Sequence, residues 1–169
     1  MSDFSLCIKA AAAMKEAGES GIILTAGTAK PNAMTIGWCT EGVMWGRPVI
    51  CVPVRQTRYT HDILEKETAF TVFVPKKRSA RVVSYFGTVS GRHEDKLLKA
   101  GMKTAPSPYV SSPMITEKGC VIHAKILYKI DMSDKNMSPE VKEWYSKGES
   151  KDNFHTLNFG EIAAVTQNE

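Results

Sequence analysis

The chain has 169 residues, a length suited to one domain that buries roughly two thirds of its unfolded surface. Hydrophobic residues make up 43% and charged residues 24%, the balance of an ordinary globular protein and not of a disordered or membrane one. A net charge of +4 and a pI near 8.8 fall far short of a nucleic-acid-binding surface, so no nucleic-acid partner is expected and small anions are the more natural ligands.

Residues 4–17 place Leu6, Ala10, Ala13, Met14 and Ala17 at helical spacing, with Gly18 where a helix would stop, so an amphipathic helix is expected. Asp3 ahead of this stretch and Lys9 within it do not make a signal peptide, and no run is apolar enough for a membrane span. A cytoplasmic protein without a membrane partner is the expectation. Short β-forming segments follow at 21–26, 33–39, 43–45 and 49–54, broken by Gly27, Pro31, Gly42 and Gly46-Arg47-Pro48, the spacing of an antiparallel meander or small barrel. Thr60 then caps a short helix with Ile63 and Leu64 facing inward, and a strand follows at 69–74.

The basic run Lys76, Lys77, Arg78 and Arg81 has no interleaved aromatics and reads as a solvated surface. Two helical stretches are expected at 79–87 and 92–100; the second, after Ser90-Gly91, sets Arg92 and Lys96 four residues apart on one face. Pro106, Pro108 and Pro113 make 104–113 a loop or an extended crossing segment. From Cys120 to Ile130 the residues alternate as a long strand with one face in the core. A helical stretch at 138–148 and a last strand near 160–166 complete the chain. Cys7, Cys39, Cys51 and Cys120 lie far apart without a C-x-x-C pair, so reduced thiols and no metal site are expected.

Three segments carry possible chemistry. Residues 55–60 (Arg55, Gln56, Thr57, Arg58, Tyr59, Thr60) stand between a strand and a helix, where unpaired amides, hydroxyls and guanidinium groups together hold a phosphate. Taken alone, the segment reads first as a helix start with Thr60 as N-cap and two solvated arginines. Residues 87–96 join a flexible glycine turn and Ser90 to Arg92 and Lys96, an anion cradle or equally a helix start with local ion pairs. Residues 30–35 turn into a strand whose amides, with Asn32 and Thr35, suit the polar edge of a flat heterocycle. Trp38 and Trp45 read first as core packing.

In this order the chain shows Asn32-Ala33-Met34-Thr35-Ile36-Gly37-Trp38, Trp45-Gly46-Arg47-Pro48, Val54-Arg55-Gln56-Thr57-Arg58-Tyr59-Thr60, the segment 87–96, then His155-Thr156 and Gly160-Glu161. Over residues 20 to 165 it resembles the flavin reductase-like family of the FMN-binding split barrel, which includes flavoredoxins. The resemblance implies one mainly β domain over 1–169 with peripheral helices: a six-stranded antiparallel Greek-key split β-barrel, a homodimer with FMN in a groove at or near the subunit interface. It implies that Arg55, Thr57, Arg58, Tyr59 and Thr60, with Ser90, Gly91, Arg92 and Lys96, contact the FMN phosphate. Asn32, Ala33, Met34 and Thr35, with Trp38, would line the isoalloxazine. His155 is the one candidate catalytic side chain, placing a nicotinamide or the flavin edge, although a lone histidine beside a strand is more often structural. The chain departs from the family pattern at His123, where a Glu-Cys type is usual, and at Phe154, where acidic residues or Tyr are common.

Since the flavin ring itself accepts hydride or electrons, the protein need only bind and position it. The leading expectation is an FMN-dependent oxidoreductase that takes hydride from NADH or NADPH and reduces free flavin or a partner protein. With no G-x-G-x-x-G fingerprint, the nicotinamide would dock transiently and not on a Rossmann domain. The alternatives are a flavoredoxin-type electron carrier without nicotinamide activity and a non-catalytic flavin-binding module; an oxidase of pyridoxamine phosphate matches these motifs less well.

Overall fold

The computed structural model describes residues 4–17, 21–77 and 79–169, so the expected helix stop at Gly18 and Arg78 of the basic run lie outside the described residues. The first helix, α1, spans Ser5–Ala17, and then the strands begin: β1 (Ile22–Ala26), β2 (Asn32–Ile36), β3 (Thr40–Met44) and β4 (Arg47–Arg55). Trp45 and Gly46, with φ of 53° and 68°, form the tight turn that folds β3 back on β4. Two consecutive positive-φ residues match the twist of a two-residue hairpin, and glycine at the second position relieves half the strain. Helix α2 (Tyr59–Leu64) and strand β5 (Ala69–Pro75) follow, then α3 (Ala80–Thr88), α4 (Lys96–Lys99) and a ribbon of β6 (Thr104–Pro106) and β7 (Pro113–Ile115). Two long strands, β8 (Gly119–Asp131) and β9 (His155–Asn168), are joined by an excursion that holds α5 (Pro139–Trp144).

Seven of these strands form one antiparallel sheet in the order β2-β1-β5-β8-β9-β4-β3. The expected six-stranded split barrel is therefore met with one more strand, and the sheet stays open between its ends. It curls enough that β2 meets β4, and Ile36 of β2 shares a buried cluster with Val52 and Val54 of β4. The chain leaves β4, runs through residues 56–58 and α2, and enters β5 three places away in the sheet. That crossing carries the first basic segment along the open side of the barrel.

Several expected elements shift. The strand β8 is buried on both faces from Gly119 to Ala124, because Cys120, Ile122 and Ala124 join the cluster under α1 while Val121 joins a second one. That second cluster gathers Ile23, Phe73, Phe86, Leu97 and Ile115 beneath α3, α4 and the ribbon, a cover that local alternation cannot reveal. The expected loop 104–113 has its ends paired as the ribbon, and β9 begins five residues earlier than the pattern suggests. Trp38 and Trp45 are 45% and 56% exposed, so neither is the core residue that base rates favour. Among the described residues, no helix is long and apolar enough to cross a membrane.

Candidate functional site

Pairing of β4 with β9 sets Arg55 opposite His155 and Val54 opposite Thr156. Next to this pair, at the open edge, β2 supplies Met34 and Ile36. As the outer strand, β2 pairs on one side only, leaving alternate backbone amides and carbonyls facing the split. Two adjoining chambers form here and share Met34 and Arg58.

The first chamber, about 260 Å³, is lined by Asn32, Met34, residues 57–60, Phe86 and Gly87 at the end of α3, the turn from Val89 to His93, and Lys96. Three cations, Arg58, Arg92 and Lys96, line it, and no carboxylate does. Lys96 is only 4% exposed; its ammonium donates to the Phe86 carbonyl at 3.2 Å and lies 5.6 Å from the Phe86 ring centre. Burial, and then the nearby Arg58 guanidinium, lower its pKa from the usual lysine value to about 8. Arg58 precedes α2 with extended backbone, and its side chain makes no capping hydrogen bond. A buried ammonium beside a second cation is a costly arrangement that an anion would relieve.

Tight packing shapes this chamber. Asn32 donates from Nδ2 to the Thr60 hydroxyl at 2.8 Å, tying β2 to α2. A Cβ on Gly91 would fall 2.1 Å from Asn32 Oδ1 and 3.0 Å from Tyr59 Cδ1, so only glycine lets the 87–93 turn close on both. Arg92 donates to the Thr57 carbonyl at 3.1 Å, lies 5.4 Å over the Tyr59 ring, and forms an ion pair with Asp62 at 2.5 Å.

The second chamber, about 330 Å³, is lined by Met34, Ile36, Gly37, Trp38, Pro53, Arg55, Arg58, Trp144, Glu149 and His155. Trp38 packs against Trp144 at 4.8 Å and against the His155 ring at 4.9 Å, making an aromatic wall. His155 is buried, with Nδ1 2.6 Å from the Tyr145 hydroxyl. Burial first, then the Arg55 and Arg58 charges, lower its pKa to about 4, so the imidazole is neutral at pH 7. A neutral imidazole has no surplus proton to deliver near neutrality.

Not every expected residue is where the sequence suggests. Arg92 and Lys96 do not share a helix face: residues 91–94 form a turn, and α4 starts at Lys96 because the Asp95 carboxylate, not Ser90, caps it by accepting from Leu98 N at 3.0 Å. Thr60 sits inside α2 and caps nothing; Arg58 holds the N-cap place without a side-chain bond. Arg55 lines the second chamber and not the first, where it donates to Ser150 Oγ at 2.9 Å and stands over Trp144. Thr35 lines neither chamber, its hydroxyl donating to the Val83 carbonyl at 2.6 Å, and the Ala33 methyl is buried in the second cluster. Thr57, Tyr59, Ser90 and Gly91 do line the first chamber. Trp144 and Tyr145 were not singled out from the sequence; their only signal is an aromatic pair in an otherwise polar stretch.

Fold and site together define a split-barrel protein with a cation-lined chamber at one end of an aromatic-walled groove. A family model described as the flavin reductase like domain matches residues 16–169, and the chain belongs to that family. It is 26% identical over 144 residues to an uncharacterised protein of Archaeoglobus fulgidus, covering 85% of this chain and 70% of that one. Among solved structures, flavoredoxin of Desulfovibrio vulgaris (Miyazaki F) superposes with a TM-score of 0.68 at 24% identity, over 88% of this chain and 69% of that one. An FMN-binding protein from Thermus thermophilus with bound 1-cyclohex-2-enone gives 0.65 at 18% identity, over 88% and 70%. At these identities the two structures share the fold.

Proposed function

We propose that this chain binds FMN and acts as an NAD(P)H-dependent flavin oxidoreductase, taking hydride from NADH or NADPH and passing electrons to free flavin or a redox partner. The observation that carries the reading is the first chamber, where three cations, one of them almost wholly buried, converge with no carboxylate among the lining residues. A phosphate supplies the missing negative charge and accepts from Arg58, Arg92, Lys96 and the Ser90 hydroxyl. A riboflavin head extending past Met34 and Arg58 enters the second chamber, where the outward amides of β2 meet its polar edge and Trp38 and Trp144 wall it. Bound FMN supplies the hydride and electron chemistry through its ring. The chain's own part is to fix the phosphate, hold the ring against β2, exclude water with the tryptophan wall and orient the reductant with neutral His155. The membership of the flavin reductase like family supports this reading.

Self-association as a homodimer belongs to the same proposal. Val43 and Met44 on β3, Trp45 in the turn after it, and Leu127, Tyr128 and Ile130 on β8 are all exposed, and Trp45, Tyr128 and Phe159 rings lie 6.1–6.2 Å apart. An apolar surface of this kind supports the reading of an interface between two copies of the chain. Light scattering on the purified protein is expected to give twice the chain mass, and a monomer at micromolar concentration counts against the dimer.

A second reading, an electron carrier without nicotinamide activity, draws on Trp144, which packs on Trp38 across the second chamber and narrows the room for a second planar ring. Mixing protein, FMN and NADH or NADPH and following nicotinamide absorbance separates the two. Oxidation well above the protein-free rate is expected with at least one nucleotide. Flavin binding without such oxidation selects the carrier, and failure to bind FMN in a fluorescence titration removes both.

A further inference from the structure

Asp62, on the outer face of α2, makes one strong contact: its Oδ2 pairs with Arg92 Nη2 at 2.5 Å. Arg92 is held twice more without any use of charge neutralisation, by the Thr57 carbonyl at 3.1 Å and by the Tyr59 ring face at 5.4 Å. The guanidinium would therefore stay at the mouth of the first chamber if Asp62 lost its charge. What Asp62 adds is a negative charge directly behind one of the three cations that line the chamber. Its other oxygen faces His61 Nδ1 at 3.9 Å. That imidazole is turned by a hydrogen-bonded series: Thr156 donates to Asp131 at 2.5 Å, leaving its oxygen to accept from His61 Nε2 at 3.0 Å. At 2.5 Å from Arg92 Nη2 against 3.9 Å from His61 Nδ1, the Asp62 carboxylate is directed chiefly at Arg92.

We propose that Asp62 is an affinity-setting residue that weakens phosphate binding in the first chamber, keeping bound FMN exchangeable by neutralising Arg92. The proposal rests on the phosphate reading given above. Asp62 is about half exposed, so its carboxylate needs no partner for the fold to form. A dianionic phosphate entering the chamber competes with Asp62 for the same guanidinium and is repelled by the carboxylate across it. At the effective dielectric near a protein surface, such a repulsion is worth on the order of a tenfold change in binding.

The test compares FMN with riboflavin, which has the same ring and no phosphate, by fluorescence titration of the full chain and of Asp62→Asn. FMN is expected to bind Asp62→Asn about 3- to 10-fold more tightly, with riboflavin affinity unchanged. In an Arg92→Ala background the Asp62→Asn gain is expected to be smaller than in the unaltered chain, because the competition for the guanidinium is gone and only the carboxylate–phosphate repulsion is left. Unchanged or weaker FMN binding by Asp62→Asn overturns the proposal, and equal gains for FMN and riboflavin do so too. If the unaltered chain binds FMN no better than riboflavin, the phosphate reading itself has failed, a result distinct from failure of the Asp62 effect.

Discussion

Replacing Lys96 by methionine is expected to weaken FMN binding about 10- to 100-fold while making the flavin-free protein more stable. The first effect follows from losing a charge-assisted hydrogen bond to phosphate, typically ~1.5–3 kcal/mol. The second follows from burial. With 4% exposure and Arg58 close by, the Lys96 pKa falls from the usual ~10.5 to about 8. A shift of this size opposes folding by roughly 3 kcal/mol at neutral pH, where the unfolded chain holds the same proton at no cost. Methionine fills similar space; the Phe86 carbonyl loses its donor, so a net gain of about 2 kcal/mol is expected. The sign has a further consequence. Between pH 8 and 10.5 the unfolded state binds more protons than the folded one, so the unaltered flavin-free protein gains stability as pH rises through that window, and Lys96→Met does not. Thermal melts of both proteins without flavin at pH 7 and pH 10, beside FMN and riboflavin titrations, check each part. An unchanged FMN affinity, or a flavin-free variant less stable than its parent, would sink the assignment of Lys96 to the anion site.

This trade between stability and binding is the kind of feature a sequence shows only in outline. The motif order made the barrel and the two basic segments legible, because each is punctuated locally by Gly, Pro or a strand-to-helix change. It did not show that Lys96 is the buried cation and Arg92 the exposed one. The expected helix from 92 put both on one face, whereas the Asp95 side chain caps Leu98 and starts α4 late; an Asp three residues before Leu98 was the available signal. Arg55 and Arg58, three residues apart, look equivalent in sequence. The strand pairing of Arg55 with His155 turns one into the second chamber, while Arg58, just beyond the strand, lines both. Trp144 escaped notice for a different reason. It comes from the excursion between β8 and β9, and only the tertiary meeting of α5 with Trp38 gives it a role.

Acidification should destabilise this protein before its carboxylates titrate, because two histidines are buried in neutral form. His123 has no exposure; its Nε2 lies 3.0 Å from the Thr166 hydroxyl and its Nδ1 2.8 Å from Ser107 Oγ. Ser107 Oγ already accepts from the Tyr109 and Val110 amides, so its hydrogen goes to His123 Nδ1 and the ring carries its proton on Nε2. A second proton has no acceptor waiting, and burial lowers the His123 pKa to about 4. His155, closed in by Tyr145 and facing Arg55 and Arg58, also falls to about 4. Both pKa values are depressed on folding from an unfolded ~6.5, so folding is favoured fully above pH 6.5 and loses stability as pH falls from there towards 4. At pH 5 each histidine is expected to have cost about 2 kcal/mol, together a large share of a stability that is ~5–15 kcal/mol for an ordinary domain. Urea midpoints of the flavin-free protein should therefore drop steeply between pH 7 and 5. His123→Asn should remove about half of that slope, at the expense of a lower midpoint at pH 7 where the ring fills the core. A midpoint flat across this window, or a slope untouched by His123→Asn, would show that the buried imidazoles do not set the acid limit.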